Sequence, residues 1–365
     1  MNRRSAIRRA GLGAVAASTL AAPALAQGLP EIKWRLTSSF PKSLDTIYGA
    51  GEHFARRVAQ LTDNKFQIRV FAGGEIVPPL QALDAVQNGT VECCHTAPYY
   101  YVGKDPTFAF DTAVPFGLNT RQHNAWVFHG GGQELMREFY KDYNITSYTL
   151  SHTGAQMGGW FRKEIKTVED LKGLKMRIGG FAGQVLAKLG VVAQQIAGGD
   201  IYPALEKGII DAAEWVGPYD DEKLGFAKVA KFYHYPGWWE GGAALSLFVN
   251  QKAIDTLPEV YRNAIEVAAG ETVAWSVAKY DAQNPRALRE LVANGTKLSP
   301  FPAPVLEACF NAANELYAET AAKNPAFKKI YEPWAAFRRD QVLWFRIAEG
   351  GFDGFMARMQ AANRL

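Results

Sequence analysis

Glu31-Ile32-Lys33-Trp34-Arg35-Leu36 and Phe66-Gln67-Ile68-Arg69-Val70-Phe71 decide the fold. Both alternate apolar and polar residues with the period of two that a half-buried strand requires. Between them, after a Phe40-Pro41 break, Leu44, Ile47, Phe54, Val58 and Leu61 recur at helical spacing across Ser43–Leu61. Pro78-Pro79 opens a second helical stretch through Val86, Asn88-Gly89 closes it, and Val91–Thr96 reads as a third strand. Such a β-α-β-α-β rhythm predicts a parallel sheet with helices on both faces.

The rhythm restarts downstream. Asn119–Tyr140 reads as helix and Ile145–Leu150 as strand, and Thr167-Val168-Glu169-Asp170 is a helix-start signal. Leu174–Ile178, Val191–Ile196 and Ala212–Val216 then alternate with helical patterns at Gln184–Leu189 and Tyr202–Lys207. The expectation is an α/β chain of two doubly wound lobes with a cleft between them, which suits 365 residues. Leu257–Lys279, Pro304–Ala322 and Pro333–Met359 are mostly helical, more than two small lobes need, and point to bracing or dimerising helices.

The formal charge of +4 belongs to the leader. Residues 1–26 carry Arg3, Arg4, Arg8 and Arg9 and no acid, so without them 36 basic residues face 36 acidic ones. A neutral body has no long-range field for nucleic acid or anionic lipid. A basic start, the small-residue stretch Gly11–Ala21 and Ala24-Leu25-Ala26 predict an export signal cleaved after Ala26. Arg3-Arg4 suggests the twin-arginine route, and Arg8-Arg9 leaves a generic basic region open.

Cys93, Cys94 and Cys309 allow one ordinary disulfide at most, from Cys309 to either neighbour, and otherwise read as buried small hydrophobes. No zinc signature, Gly-x-Ser-x-Gly elbow or phosphate loop occurs. Cys94-His95 resembles a nucleophile pair, but adjacent strand residues face opposite sides.

What remains is polar and aromatic. Tyr99-Tyr100-Tyr101 follows a strand; Gln156 precedes Gly158-Gly159-Trp160; Arg177 ends a strand before Gly179-Gly180; Glu214-Trp215 ends another; Trp238-Trp239-Glu240-Gly241-Gly242 repeats the recipe. Ligand loops of doubly wound folds lie at such strand ends. Arginine there suits a carboxylate through a two-pronged contact, and glycines let backbone approach a ligand. The alternatives are that Arg177 pairs at the surface with Asp170 or Glu169, that Tyr99–Tyr101, Trp238 and Trp239 pack between lobes, and that the glutamates are solvated.

Phe40-Pro41-Lys42-Ser43-Leu44-Asp45, Phe71-Ala72-Gly73-Gly74-Glu75, Gly173-Leu174-Lys175-Met176-Arg177, Asp200–Leu205, Asp211-Ala212-Ala213-Glu214-Trp215 and Tyr235–Glu240 together resemble the solute-binding proteins of tripartite ATP-independent periplasmic (TRAP) transporters. The likeness covers the whole mature chain and is strongest to the α-keto acid subgroup. It implies a two-lobed periplasmic-binding-protein fold: lobe I from 27–154 with 243–282, and lobe II from 155–242 with 283–365 and the C-terminal helices. It implies Arg177 on the substrate carboxylate, and Tyr100, Tyr101 and Phe181 lining the pocket. A bridging cation would be held by Gln156, Glu214, the Trp215 backbone and Glu240. Membrane permease subunits are the implied partners, and a homodimer through a swapped C-terminal helix is a further expectation.

Oxygen-only ligands suit Na⁺ or Ca²⁺. Two glutamates, one arginine and a substrate carboxylate sum to two negative charges, which alone favours Ca²⁺; the resemblance favours Na⁺. A pyruvate-like 2-oxo acid is the first reading of the ligand. A lactate-like 2-hydroxy acid with Ca²⁺, and an exported enzyme using Glu214 and Glu240 as acid and base, are the alternatives.

Overall fold

A computed structural model describes residues 28–364; the predicted leader, residues 1–26, lies outside them. The first half runs β1 (Ile32–Ser38), α1 (Ile47–Leu61), β2 (Phe66–Phe71), α2 (Ala82–Gln87), β3 (Cys93–Thr96), α3 (Thr120–His129), α4 (Gly132–Tyr140) and β4 (Ile145–His152). The alternation in β2 works as expected: Phe66 and Ile68 are buried while Gln67 and Arg69 face out. Asn119–Tyr140 is two helices, because Gly131 takes φ 81° and turns the chain.

The second half runs β5 (Gly159–Phe161), β6 (Lys175–Arg177), α5 (Ala182–Lys188), β7 (Val192–Gln194), α6 (Gly198–Glu206), β8 (Ala212–Ala213), α7 (Pro218–Leu224) and β9 (Phe232–Tyr235). Then follow β10 (Ala244–Asn250), α8 (Gln251–Asp255), α9 (Glu259–Ala293), β11 (Lys297–Pro300), α10 (Ala303–Lys323), α11 (Pro325–Phe345) and α12 (Gly351–Ala361).

Two sheets result, ordered β2-β1-β3-β10-β4 and β11-β9-β5-β8-β6-β7. The β1-α1-β2-α2-β3 unit is parallel, as the rhythm predicts. Both sheets are nevertheless mixed. The late strand β10 returns to the first sheet antiparallel to β3 and β4, and β5 runs antiparallel to β8 and β9 in the second.

The chain passes between the sheets at 153–158 and again at 236–243. These crossings are tied together: Thr153 N donates to Ala243 O at 3.0 Å, and Ala243 N donates to Thr153 Oγ1 at 2.9 Å. Helix α9 spans 35 residues, longer than expected at its C-terminal end despite Pro285, so at 1.5 Å per residue it is about 50 Å long. It packs on β4 and α1 at one end and on α7 at the other, bracing both lobes. Helix α10 packs on α5 and α11 on α3 and α4. No described helix is long and apolar enough to cross a membrane. Cys93, Cys94 and Cys309 are buried free thiols, so the optional disulfide does not form.

Candidate functional site

Strands β6 and β8 lie side by side in parallel, with Arg177 opposite Ala213. That register brings Arg177 and Glu214 together at the strand ends, where Glu214 N donates to Arg177 O at 3.1 Å. Both side chains are about 1% exposed, which rules out the surface pair with Asp170 or Glu169 and the solvated glutamate. Arg177 Nη1 donates to Glu214 O at 2.7 Å and to Glu214 Oε1, while Nε donates to Ile196 O at 3.1 Å. Gly179 N also donates to Glu214 Oε1, at 2.9 Å. The guanidinium lies 5.1 Å from the Trp215 ring centroid. Protein groups therefore occupy Nε and Nη1. Nη2 is buried without a partner, so the free donor is one nitrogen rather than the two-pronged edge expected.

Gln156 and Glu240 come from the two crossing segments and meet this pair. One terminal atom of the Gln156 amide lies 2.9 Å from Thr153 Oγ1; the other faces Glu240 Oε1 at 2.8 Å and Trp215 O at 3.3 Å. With its nitrogen turned inward the amide donates to both. With its oxygen inward, three oxygens converge with no proton between them, the donor arrangement of a hard cation. Glu214 Oε2 and Glu240 Oε2 are buried and unpartnered besides. Burial first, then the charge of Glu214, pushes the Glu240 carboxyl far above the ordinary range, against the pull of Arg177. Gln156, Glu214, Trp215 O and Glu240 thus fit a cation that would keep Glu240 ionised. No group of three His, Cys, Asp or Glu side chains gathers among the described residues, so a cation here would have to rest on two carboxylates completed by neutral oxygens.

Beside these groups is a cavity lined by Phe40, Tyr99, Tyr100, Gln156, Trp215 and Leu245, among others. It offers about 10 Å³ to the centre of a water-sized sphere, room for about one water, so the cleft is closed. Larger open grooves of about 490 and 440 Å³ lie away from these residues, on the outer faces of the two lobes. Burial raises the Tyr100 phenol to about 12, although Arg177 draws it back.

Two expected wall residues are elsewhere. Tyr101 turns into the core, its hydroxyl accepting from Leu83 N at 3.1 Å and lying 3.0 Å from Thr96 Oγ1, its ring 5.8 Å from Phe108. Phe181 stacks on Tyr317 at 5.5 Å and Phe327 at 5.7 Å, docking the C-terminal helices. Gly179-Gly180 receives a side chain rather than lying bare to a ligand: a Cβ on Gly180 would sit 2.1 Å from Tyr99 Cδ2. Trp238 stacks on Phe116 at 5.1 Å, and Trp239 lies 5.8 Å from Phe301, so that pair packs structure, as the alternative held. Tyr99, Thr153, Phe40 and Leu245 are wall or support residues that sequence reasoning did not assign. Phe40 and Tyr99 stood in quoted segments; nothing in the sequence marks Thr153 or Leu245.

The chain matches the family model described as bacterial extracellular solute-binding protein, family 7, over residues 37–324. It is 51% identical over 333 residues to a monocarboxylate 2-oxoacid-binding periplasmic protein of Nostoc sp., covering 91% of each chain. A TRAP transporter solute-binding protein from Bordetella bronchiseptica superposes with a TM-score of 0.90 and 55% identity, over 92% of this chain and 99% of that one; that dimer holds copurified calcium and picolinate in one site and an apo site. A TRAP periplasmic solute-binding protein from Pseudoalteromonas atlantica, with bound sodium and pyruvate, gives 0.86 and 40%, over 88% and 98%. A buried arginine, two buried carboxylates and an inward amide at the junction of two braced lobes, in a chain of this ancestry, lead to one assignment: the protein belongs to family 7 of the bacterial extracellular solute-binding proteins, as the periplasmic solute-binding component of a TRAP transporter.

Proposed function

We propose that the protein captures a small 2-oxo monocarboxylate such as pyruvate, together with a metal cation, and delivers it to membrane permease subunits. The observation that carries this is the juxtaposition of the buried, unpartnered Arg177 Nη2 with the oxygens of Gln156, Glu214, Trp215 and Glu240. Arg177 Nη2 supplies a charge-assisted donor to the substrate carboxylate. Glu214 holds the guanidinium in place, and Gln156 and Glu240, on the crossing segments, bring the hinge to the ligand. A bound cation supplies a Lewis-acidic centre that the adjacent keto oxygen can complete. The apolar wall of Phe40 and Leu245 suits a short alkyl tail and offers no partner to a second carboxylate. The relatives' 2-oxoacid and pyruvate ligands support the same class, and picolinate shares with it a carboxylate beside a second metal-binding atom. Their calcium and sodium support a hard cation, and Na⁺ is our first choice with Ca²⁺ second.

The reading is of a binding module: Glu214 and Glu240 act as cation ligands rather than as acid and base. It includes export, with the leader cleaved after Ala26. It also includes a homodimer through the C-terminal helices, where Trp344, Ile347 and Phe352 are 59%, 66% and 64% exposed and an apolar surface of that kind calls for a cover. Tryptophan fluorescence titrated with a panel of 2-oxo and 2-hydroxy acids tests the ligand class, since Trp215 lines the closing cavity. Saturable quenching by pyruvate, with the acid recovered unchanged, is expected. Turnover of pyruvate, or response to lactate alone, would overturn the reading.

A further inference from the structure

Asp45 ends the segment Phe40–Asp45, and the ligand site uses only the phenylalanine of that segment. It stands just before α1 on the first sheet's side of the cleft, next to the fully buried Leu44. Its own side chain is half exposed and meets the other lobe. Lys223 Nζ of α7 bonds Asp45 Oδ1, and the Tyr219 hydroxyl of the same helix donates to Oδ2 at 3.0 Å. From the bracing helix α9, Lys279 Nζ donates to Oδ2 and to the Asp45 carbonyl, each at 2.8 Å. Lys223 Nζ also lies 3.5 Å from the Tyr219 ring centroid, and Lys279 Nζ 5.0 Å from that of Trp275, so aromatic faces hold both ammonium groups. Partial burial works against the Asp45 carboxylate, yet the two lysines hold it at about 2. Elsewhere along the closed seam, Tyr99 lies against Gly179-Gly180, and Gln195 Nε2 donates to Tyr100 O at 2.8 Å; both contacts are part of the ligand cleft itself. The Asp45 cluster is a charged contact between the first lobe and α7 that does not touch the ligand site.

We propose that Asp45, Tyr219, Lys223 and Lys279 form an ionic latch between the lobes beside the bracing helix α9, which favours the closed conformation and sets how long a bound ligand stays. Separating the lobes pulls α7 from Asp45 and breaks the Lys223 and Tyr219 contacts together. A single exposed ion pair contributes little, but here one carboxylate gathers three side-chain donors, and loss of that network raises the open population. Because the latch forms only after closure, it acts on the dissociation rate more than on encounter. Because it is exposed, added salt weakens it.

The inference borrows only its ligand from the proposed function. Stopped-flow tryptophan fluorescence on cation-loaded protein with pyruvate measures dissociation, with ionic strength raised by choline chloride so that Na⁺ and Ca²⁺ stay constant. Asp45→Asn, and separately Lys223→Met, are expected to speed dissociation about three- to tenfold at low ionic strength. The double variant should be no faster than either alone, and the wild type should approach the variants as choline chloride rises. Wild-type dissociation rates in both single variants, or additive effects in the double, would overturn the latch. Failure of pyruvate to bind the wild type would refute the proposed function instead. The latch is then read from the radius of gyration of the ligand-free protein by small-angle scattering: an increase in Asp45→Asn supports it, and identical values overturn it.

Discussion

Arg177→Lys keeps the positive charge and removes the planar fork. The arginine spends Nε on Ile196 O and Nη1 on two Glu214 oxygens, leaving Nη2 for a ligand. A lysine has one nitrogen, which cannot serve three directions from one point. Beside Glu214 it satisfies the buried carboxylate and abandons the substrate. The folded state therefore keeps its ion pair, and the loss falls on binding. For a buried charged partner of this kind the cost is about 2–5 kcal/mol, a Kd weakened about 30- to 4,000-fold. Titration calorimetry with pyruvate in cation-replete buffer reads this, with thermal melting alongside. Arg177→Met is the contrasting variant: it strands Glu214 in the interior and should cost about 3–5 kcal/mol of stability as well. Pyruvate affinity within about threefold of wild type in Arg177→Lys would refute the reasoning, because it would mean that the guanidinium geometry does not matter to the ligand.

Gly180→Ala should weaken binding by about tenfold or more while melting changes less. Its φ of 66° strains an L-residue, and the new methyl displaces Tyr99 from the closed seam; fluorescence titration and calorimetric melting together check it. Burial, against donors from Tyr233, Trp160 and Val216, pushes Asp221 up to about 7. The folded state thus binds more protons than the unfolded one between about pH 4 and 7, and this carboxyl's contribution is lost as pH rises through 7. Asp221→Asn should melt lower than wild type at pH 5 but show a shallower decline from pH 6 to 8, and parallel declines would count against it. Light scattering at micromolar concentration should give twice the protomer mass, and Ile347→Asp with Phe352→Asp should give one; a monomeric wild type would remove the C-terminal interface.

The strands that set the architecture were legible because each is half-buried over several residues, as β1 and β2 are. Strand β8 falls inside the stretch Ala212–Val216 read as strand but keeps only two alanines of it. The antiparallel return of β10 depends on pairing with strands roughly a hundred residues away or more, which local pattern does not encode. Arg177 and Glu214 stand out because charged residues at apolar strand ends need a reason to be there, and Glu240 because it sits between paired tryptophans and paired glycines. Tyr101 was misread because Pro98–Tyr101 is a turn of 3₁₀-helix. With three residues per turn, successive tyrosines point in directions about 120° apart, so Tyr99 and Tyr100 reach the cleft while Tyr101 enters the core. Phe181 follows Gly179-Gly180 on a backbone whose course depends on Tyr99 and on C-terminal helices far along the chain.

In the proposed function, ligand and cation bind as a unit held between Arg177 and the oxygens of Gln156, Glu214, Trp215 and Glu240. The direct measurement is pyruvate affinity by titration calorimetry on protein stripped of Ca²⁺ by chelation, in buffers with and without Na⁺, for wild type and Glu240→Gln. Pyruvate affinity should collapse in wild type when both ions are removed and return when one is restored. Glu240→Gln should weaken cation and pyruvate together. Equal pyruvate affinity in the presence and absence of both ions would contradict it and return the two glutamates to a structural role.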